Sequence, residues 1–249
     1  MSGHSKWSTI KRKKALTDNR RATVWTKLIR EITVAAKAGG GDPGSNARLR
    51  KAIDDGRAAN MPNDNIERAI KKGTGELEGA VYEEFTYEGY GPGGTAILVE
   101  GSTDNANRTV AEIRHAFSRN HGNLGTSNSV AWMFEKKGQI VIASGKVSED
   151  KAMEDSLDAG ASDFSTDADL FVVTTEPNTF HAVMDALRTR GYRAETSGVE
   201  MVPKSLVKPS AADAQKLLQL IEALEELDDV SKVFTNLDVD AVELEEAGA

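Results

Sequence analysis

Hydrophobic residues in the first third of the chain recur at intervals of three and four residues, the spacing of amphipathic helices. A first helix is predicted from Asp18 to the glycines at 39–41, a second over 47–59, and a third that ends at Gly73. The apolar stripe of the first helix consists of Trp25, Leu28, Ile29, Ile32 and Ala36. Three short helices in succession predict a small helical domain.

The hydrophobic period then changes to that of an α+β chain. Two strands are predicted over 81–87 and 95–101, followed by a helix capped by Asp104. Residues 138–203 predict the order β-α-β-β-α-β, which is typical of ferredoxin-like folds. A strong helix capped by Ser210 and a last strand follow.

The pieces on either side of the 138–203 unit each bury too little apolar surface to form a core alone, so we expect them to complete each other. The predicted fold class is α+β with three domains: an N-terminal three-helix domain and two ferredoxin-like-type α+β domains, one inserted in the other. The predicted segments are a flexible basic arm (1–17), a helical nucleic-acid-binding domain (18–78), an α+β domain (79–135 plus 207–249) and the inserted α+β domain (136–206).

Charge divides the chain in the same place. Residues 1–78 carry 17 Lys and Arg against 9 Asp and Glu, whereas the remaining residues carry 14 against 30, and the whole chain has a net charge of −8. A basic segment joined to an acidic body predicts a polyanionic partner for the basic segment. The acidic body repels a polyanion at long range, so we expect contact to be confined to residues 1–78.

The candidate nucleic-acid-binding residues are the cations of this basic segment and one tryptophan. Clustered cations neutralise phosphates and release counterions, although any one of them can also simply solubilise a helix face. Trp7 can stack on a base or dock on the body, whereas Trp25 lies on the predicted core side. The candidates are Lys6, Trp7, Lys11, Arg12, Lys13, Lys14, Arg20, Arg21, Lys27, Arg30, Lys37, Arg48, Arg50, Lys51, Arg57, Arg68, Lys71 and Lys72.

Motifs for catalysis, metals and cofactors are missing or misplaced. The chain has no cysteine, and its four histidines lack the spacing of a zinc site. Residues 89–94 spell G-x-G-x-x-G, but a predicted strand follows them instead of a helix, so the motif is interpreted as a hairpin connection. The acidic run that includes Asp228 and Asp229 is interpreted as a solvated helix face. The sequence therefore predicts no enzyme, no metal and no cofactor.

Long ordered blocks of sequence resemble the YebC/PmpR family. Trp25 stands where a phenylalanine is commoner in the family. The resemblance is weaker beyond about residue 140. The blocks are GHSKW at 3–7, TKLIREI at 26–32, GGGDP at 39–43, ANMP at 59–62, DNIERAI at 64–70, YEGYGPGG at 87–94, TDN at 103–105, NRT at 107–109 and GNLG at 122–125.

The resemblance implies a three-domain regulatory protein without enzymatic activity. Members are usually labelled DNA-binding transcriptional regulators, and we expect the same of this chain, in the cytoplasm, with duplex DNA as its partner. The alternative is a ribosome-associated translation factor that contacts ribosomal or transfer RNA and relieves stalling at difficult, for example proline-rich, sequences, as the related mitochondrial translational activator of cytochrome oxidase suggests. A match that starts at residue 3 leaves no room for a transit peptide, and no membrane is expected as a partner.

Overall fold

The computed structural model describes residues 20–145, 147–167 and 169–238, which form seven α-helices and two four-stranded sheets. The predicted α+β class is therefore confirmed. The helices are α1 Arg20–Gly39, α2 Ala47–Ala58, α3 Asn63–Thr74, α4 Ala106–Arg119, α5 Glu149–Asp158, α6 Phe180–Thr189 and α7 Ala211–Glu225. The strands are β1 Glu83–Tyr90, β2 Ala96–Thr103, β3 Asn123–Leu124, β4 Phe134–Ala143, β5 Asp163–Asp167, β6 Leu170–Thr175, β7 Ala194–Pro203 and β8 Val230–Thr235.

Helices α1 to α3 pack around their own apolar core, as their hydrophobic spacing predicts. Trp25 is half-buried at its edge, and its indole N–H donates a hydrogen bond to the Ala59 carbonyl oxygen at 3.0 Å. The buried members of the core are Ile32, Ala35, Ala36, Leu49, Ala52, Ile53, Met61, Ile66 and Ala69.

A glycine interpreted as a helix end is instead a packing residue. Helix α3 continues through Gly73 to Thr74, and Gly75, at a φ of +82°, provides the left-handed stop. A Cβ on Gly73 would overlap the Thr33 carbonyl oxygen and lie 2.7 Å from the Ala36 Cβ. Gly73 is therefore the place where α3 approaches the α1 backbone too closely for any side chain.

The first sheet has the order β3-β1-β2-β8, with α4 and α7 packed on one face. Strands β1 and β2 begin one or two residues later than predicted and end two or three residues later. They are joined by a single 3-10 turn over Pro92–Gly94, so the G-x-G-x-x-G letters do lie in a hairpin connection. Strand β3 was not predicted, because two residues carry no periodic signal.

Strand β2 is buried on both faces. Ile97 and Val99 contribute to the core beneath α4 and α7, whereas Ala96 and Leu98 face a second apolar cluster that contains Phe134. Since Phe134 begins β4, this cluster joins the two sheets. Such two-sided burial explains why the strand appears in the sequence as an uninterrupted apolar run.

The second sheet has the order β5-β6-β4-β7, and its elements follow one another as β4-α5-β5-β6-α6-β7. This is the predicted β-α-β-β-α-β unit, and in the chain it separates β3 from α7 and β8 of the first sheet. Strand β4 begins at Phe134, before the predicted start of the unit at 138, because its first five residues pair with the end of β7. The domain boundaries at 78, 135 and 206 stay predictions.

Candidate nucleic-acid interface

Ten candidate cations have described side chains. The candidates of the basic arm, from Lys6 to Lys14, lie outside the described residues, as do the side chains of Arg20 and Arg21. The ten are Lys27, Arg30, Lys37, Arg48, Arg50, Lys51, Arg57, Arg68, Lys71 and Lys72. The structure divides them into cations that face the first sheet, cations paired on the surface, and an exposed face of α3.

Arg30 is not available to a phosphate, which corrects its place among the candidates. Its side chain is buried, and one guanidinium nitrogen lies 2.7 Å from the Asp229 carboxylate and donates to the carbonyl oxygens of Asp228 and Ser102. The guanidinium also lies over the Tyr82 ring, 5.1 Å from its centroid. The side of α1 that carries Arg30 is therefore covered by the first sheet.

Two further lysines on α1 also contact the α+β part of the chain. The ammonium of Lys27 donates to the Glu225 carbonyl oxygen at 2.5 Å, at the end of α7. The ammonium of Lys37, which is exposed, donates to the Tyr82 carbonyl oxygen at 3.2 Å. Both side chains thus hold α1 against the α+β part of the chain, although Lys37 stays exposed and uses only one of its three ammonium protons for this bond.

Asp229 lies at the centre of the contact between α1 and the first sheet, which we call the joint. The interpretation of Asp229 as a solvated acid is wrong. Only 3% of the residue is exposed, and besides Arg30 its carboxylate accepts hydrogen bonds from Arg108 at 2.8 Å, Thr103 at 3.0 Å and Thr109 at 2.5 Å. Burial by itself raises the pKa of Asp229, but the bonds from Thr109, Arg108 and Thr103 and the charge of Arg30 outweigh burial and lower it. The carboxylate therefore stays ionised.

The start of α4 completes the site around Asp229. Asn105, and not the predicted Asp104, is the N-cap residue: its side chain accepts from the Arg108 backbone N–H at 3.1 Å. Asp104 instead lies 2.8 Å from the Arg108 guanidinium, which it shares with Asp229. The cap of α4 therefore aims Arg108 at the buried carboxylate.

On α2 three of the four candidate cations are ion-paired. The Arg48 guanidinium bridges the carboxylates of Glu31 at 2.8 Å and Glu84 at 2.7 Å, and these bonds raise the pKa of Arg48 above its already high value. Glu84 belongs to β1, so this bridge is a second link between the helical domain and the first sheet. The other cations of α2 have local partners: Lys51 pairs with Asp55, Arg57 with Asp54, and Arg50 donates to the Pro43 carbonyl oxygen.

The exposed face of α3 is the strongest remaining candidate. Arg68, Lys71 and Lys72 are all exposed and lie at i, i+3 and i+4, a spacing that places three cations on one helix face. Within the described residues none of the three has an ion-pair partner. The exposed Asp64 lies one turn before Arg68, and the exposed Glu67 lies one turn before Lys71. We refer to Arg68, Lys71 and Lys72 as the α3 face.

Two features of the structure were not predicted from the sequence. The Asp229 site was hidden in an acidic run, and Trp132, which is 64% exposed, lies in the loop before β4. A lone tryptophan between a polar Asn/Ser stretch and a strand was a signal that could have drawn attention to that loop. Among the described residues no His, Asp and Glu side chains cluster in a set that could hold a metal ion, and no helix could span a membrane.

Comparison with known proteins places these residues in a family. The family description "TACO1/YebC protein N-terminal domain" matches residues 5–76, and "TACO1/YebC second and third domain" matches residues 82–237. The chain belongs to the TACO1/YebC family. Within the TACO1/YebC chain, the α3 face and the Arg30 side of the joint lie in the first match, and Asp229 lies in the second.

Relatives of this TACO1/YebC chain share its whole length. A protein of Gemmatimonas aurantiaca is 57% identical over 96% of this chain and 97% of its own, and one of Acidithiobacillus ferrooxidans is 55% identical over 98% and 97%. Both are named "Probable transcriptional regulatory protein". The crystal structure of a conserved hypothetical protein from Aquifex aeolicus matches with a TM-score of 0.82 at 44% identity, over 90% of this chain and 92% of that one.

Proposed function

We propose that this chain is a cytoplasmic nucleic-acid-binding regulatory protein that acts as a DNA-binding transcriptional regulator. The observation that carries the proposal is the α3 face, three exposed cations without ion-pair partners in the described residues. Cations grouped in this way bind a phosphate backbone by displacing its condensed counterions. The names of the relatives support the regulatory role.

The basic arm is the second component of the proposed interface. Of the 17 Lys and Arg in residues 1–78, the cluster at 11–14 supplies four in succession. Basic N-terminal arms add phosphate contacts and reach into grooves that a folded domain cannot enter. Most of the candidate cations for which no ion pair is described belong either to the arm or to the α3 face.

The joint at Asp229 gives the proposed interface a fixed orientation. Arg30, Lys27 and Arg48 tie the helical domain to the first sheet domain, so α3 is presented at one angle to the rest of the chain. The body carries 30 Asp and Glu against 14 Lys and Arg. Its negative field repels a polyanion and directs it to the helical domain.

The second candidate function is a ribosome-associated translation factor that contacts ribosomal or transfer RNA. It is favoured by the chemistry of the α3 face, which consists of two lysines and one arginine. Lysine is a point charge suited to phosphate, and specific base readout depends on bidentate side chains placed in a groove. Recognition by backbone and shape is typical of proteins that bind structured RNA.

Co-sedimentation with ribosomes in the presence of excess duplex DNA separates the two candidates. Release of the full-length protein from ribosomes onto DNA at physiological salt supports the transcriptional role. Retention on ribosomes despite the DNA supports the translational role and reduces DNA contact to a non-specific charge effect. Binding to neither contradicts both. An enzymatic role would need a turnover abolished by one carboxylate substitution.

A further inference from the structure

Trp132 is the largest hydrophobic side chain exposed in the part of the chain that the structure describes, and it lies between β3 and β4, outside the helical domain. Exposing an indole to water carries a hydrophobic cost, and exposed tryptophans are concentrated at binding sites. The residue follows a polar loop and occupies a single 3-10 turn, Ala131–Met133, that leads into β4.

The loop beneath Trp132 is held by a buried carboxylate. Glu88, in β1, is 7% exposed and accepts hydrogen bonds from the backbone N–H groups of Asn128, Val130 and Ala131, each at 2.7 Å. Burial raises the pKa of Glu88, but these backbone bonds outweigh burial and lower it. An ionised carboxylate that accepts three N–H bonds fixes the backbone of a loop that has no regular structure.

Further bonds fix the indole itself. The Tyr90 hydroxyl donates to the Ser129 carbonyl oxygen at 2.9 Å, and the Trp132 indole N–H donates to the same oxygen at 3.1 Å. Val130, between them, is completely buried. Since one edge of the indole is bonded to its own turn, its exposed surface is held in place before any partner arrives. A preorganised aromatic side chain loses little conformational entropy on binding.

The two chain segments that meet at Trp132 differ in charge from the rest of the body. Residues 79–249 contain 30 Asp and Glu, yet residues 120–134 and 203–209 contain none. These two segments meet at Trp132: the exposed Lys204 donates its ammonium to the Trp132 carbonyl oxygen at 2.9 Å, and its backbone N–H bonds to Met133. Only one of the three ammonium protons is needed for that bond. We call Trp132 and Lys204 the Trp132 patch.

A rigid exposed indole beside a lysine, both in chain segments without acidic residues, has the chemistry of a nucleobase-stacking platform. Single-stranded nucleic acids are bound by aromatic side chains that stack on bases and by cations that neutralise the adjoining phosphates. A duplex, whose bases are already stacked, cannot use such a platform. We infer that the Trp132 patch binds an unpaired nucleobase, which stacks on the indole while Lys204 contacts its phosphate.

This inference rests on the nucleic-acid-binding part of the proposed function, because it adds a contact for an unpaired base to the phosphate contacts of the α3 face. Strand β1 runs from Glu84, which is bonded to Arg48 of the helical domain, to Tyr90 below the Trp132 loop. At roughly 3.3 Å per residue, these two ends of β1 are separated by about 20 Å, so the link to the helical domain and the Trp132 loop lie at opposite ends of one strand. A partner that occupies both the α3 face and the Trp132 patch must combine a phosphate backbone with an unpaired base.

The test compares full-length variants in fluorescence-anisotropy titrations with labelled 12-nucleotide probes: single-stranded rA12, single-stranded dA12 and a 12-base-pair DNA duplex. Trp132→Ala should weaken rA12 binding about fivefold or more, since stacking contributes roughly 1–3 kcal/mol per base. Trp132→Phe should keep most of the affinity, and duplex affinity should not change. Leu157→Ala, at a hydrophobic residue 50% exposed on α5, is the matched control and should have no effect.

A spectroscopic measurement detects stacking directly. The emission of wild-type protein minus that of Trp132→Phe should be quenched by rA12 and, in the free protein, by acrylamide. In the anisotropy titrations, a loss of affinity on Trp132→Ala that is confined to rA12 identifies the source of the base as RNA. Equal losses of affinity for rA12 and dA12 identify an unpaired base of either polymer.

Three results would overturn the inference. The first is equal rA12 affinity of Trp132→Ala and wild type, and the second is an indole that acrylamide cannot reach. The third is self-association, seen by analytical ultracentrifugation, that Trp132→Ala abolishes without changing rA12 affinity, because it assigns the patch to a second copy of the chain. If neutralising the α3 face abolishes duplex binding while Trp132→Ala leaves rA12 affinity unchanged, the inference is refuted and the proposed function is not.

Discussion

The Arg30 guanidinium lies 2.7 Å from the Asp229 carboxylate, and 199 positions of sequence separate the two residues. Arg30 belongs to the helical domain and Asp229 to the turn before β8, so one buried ion pair joins the beginning and the end of the chain. Breaking a buried pair is costly, because the partner that remains keeps an uncompensated charge. This relationship explains how a basic domain is held firmly on an acidic body.

Asp229→Asn should lower the free energy of unfolding by about 3 kcal/mol or more, because it leaves the Arg30 guanidinium buried without a counter-charge. Urea denaturation followed by circular dichroism measures the change. Asp228→Asn is the matched control: its side chain is exposed and only its carbonyl oxygen contacts Arg30, so we expect less than about 0.5 kcal/mol. Equal effects of the two substitutions would show that the buried pair does not stabilise the fold.

The Asp229 pair should also make stability depend on pH. The folded-state pKa of Asp229 lies below its ordinary value of 3.8, so the folded protein binds this proton less readily than the unfolded chain. Its contribution is present above about pH 4 and is lost as the pH falls through the folded-state pKa. The difference in unfolding free energy between wild type and Asp229→Asn should therefore shrink between pH 5 and pH 3. A difference that stays constant over this range would contradict the assignment.

Glu88→Gln should loosen the loop that carries Trp132. The amide replaces one carboxylate oxygen by an NH2 group, which cannot accept from the backbone N–H groups of Val130, Ala131 or Asn128. We expect a decrease of about 1–3 kcal/mol in unfolding free energy. Amide hydrogen exchange of residues 126–131 should become faster. Glu84→Gln, at an exposed position of the same strand, should cost less than about 1 kcal/mol and leave that exchange unchanged.

Gly73→Ala should destabilise the helical domain, although alanine is the better helix former. Its methyl group would overlap the Thr33 carbonyl oxygen, so α1 and α3 must separate. Thermal unfolding should show a decrease in stability of roughly 1–3 kcal/mol, the usual range for overpacking. Gly79→Ala meets only the flexible side chain of Lys72 and should be nearly neutral. A stabilised Gly73→Ala protein would show that the close approach of the helices is not a real constraint.

Local patterns in the sequence predicted the elements well where several signals agree. The 138–203 unit combined a strand period, a helical period and glycine stops, and its six elements are present in the predicted order. The three N-terminal helices, and the position of Trp25 on the core side of the first, were likewise predicted from hydrophobic spacing together with glycine stops. Gly73 was misinterpreted because a glycine that ends a helix and one that admits a neighbouring helix have the same letter, and Gly75 follows two residues later.

The joint could not be predicted, because its partners are distant in sequence. Nothing in the neighbourhood of Arg30 distinguishes it from the other cations of α1, and Asp229 follows a run of solvated acids. Only the packing of α1 on the first sheet buries the two together and removes Arg30 from the phosphate-binding set. The α3 face could not be singled out from the sequence either, because its cations were predicted together with all the other candidates. The structure distinguishes them, since most of the other described candidates are bonded to carboxylates or carbonyl oxygens.

The most direct test of the account is the salt dependence of duplex DNA binding. The change is Arg68→Ala, Lys71→Ala and Lys72→Ala together, compared with wild type by fluorescence anisotropy between 50 and 200 mM salt, where salt dependence is strong. The control removes three exposed cations from the body, Arg114, Arg119 and Arg188, and changes the net charge equally. If the α3 face holds the phosphates, the triple variant binds more weakly and its log–log slope is shallower by about 0.9 for each phosphate no longer neutralised, up to about 2.7, while the control keeps the wild-type slope. Equal slopes for all three proteins would contradict the proposed interface.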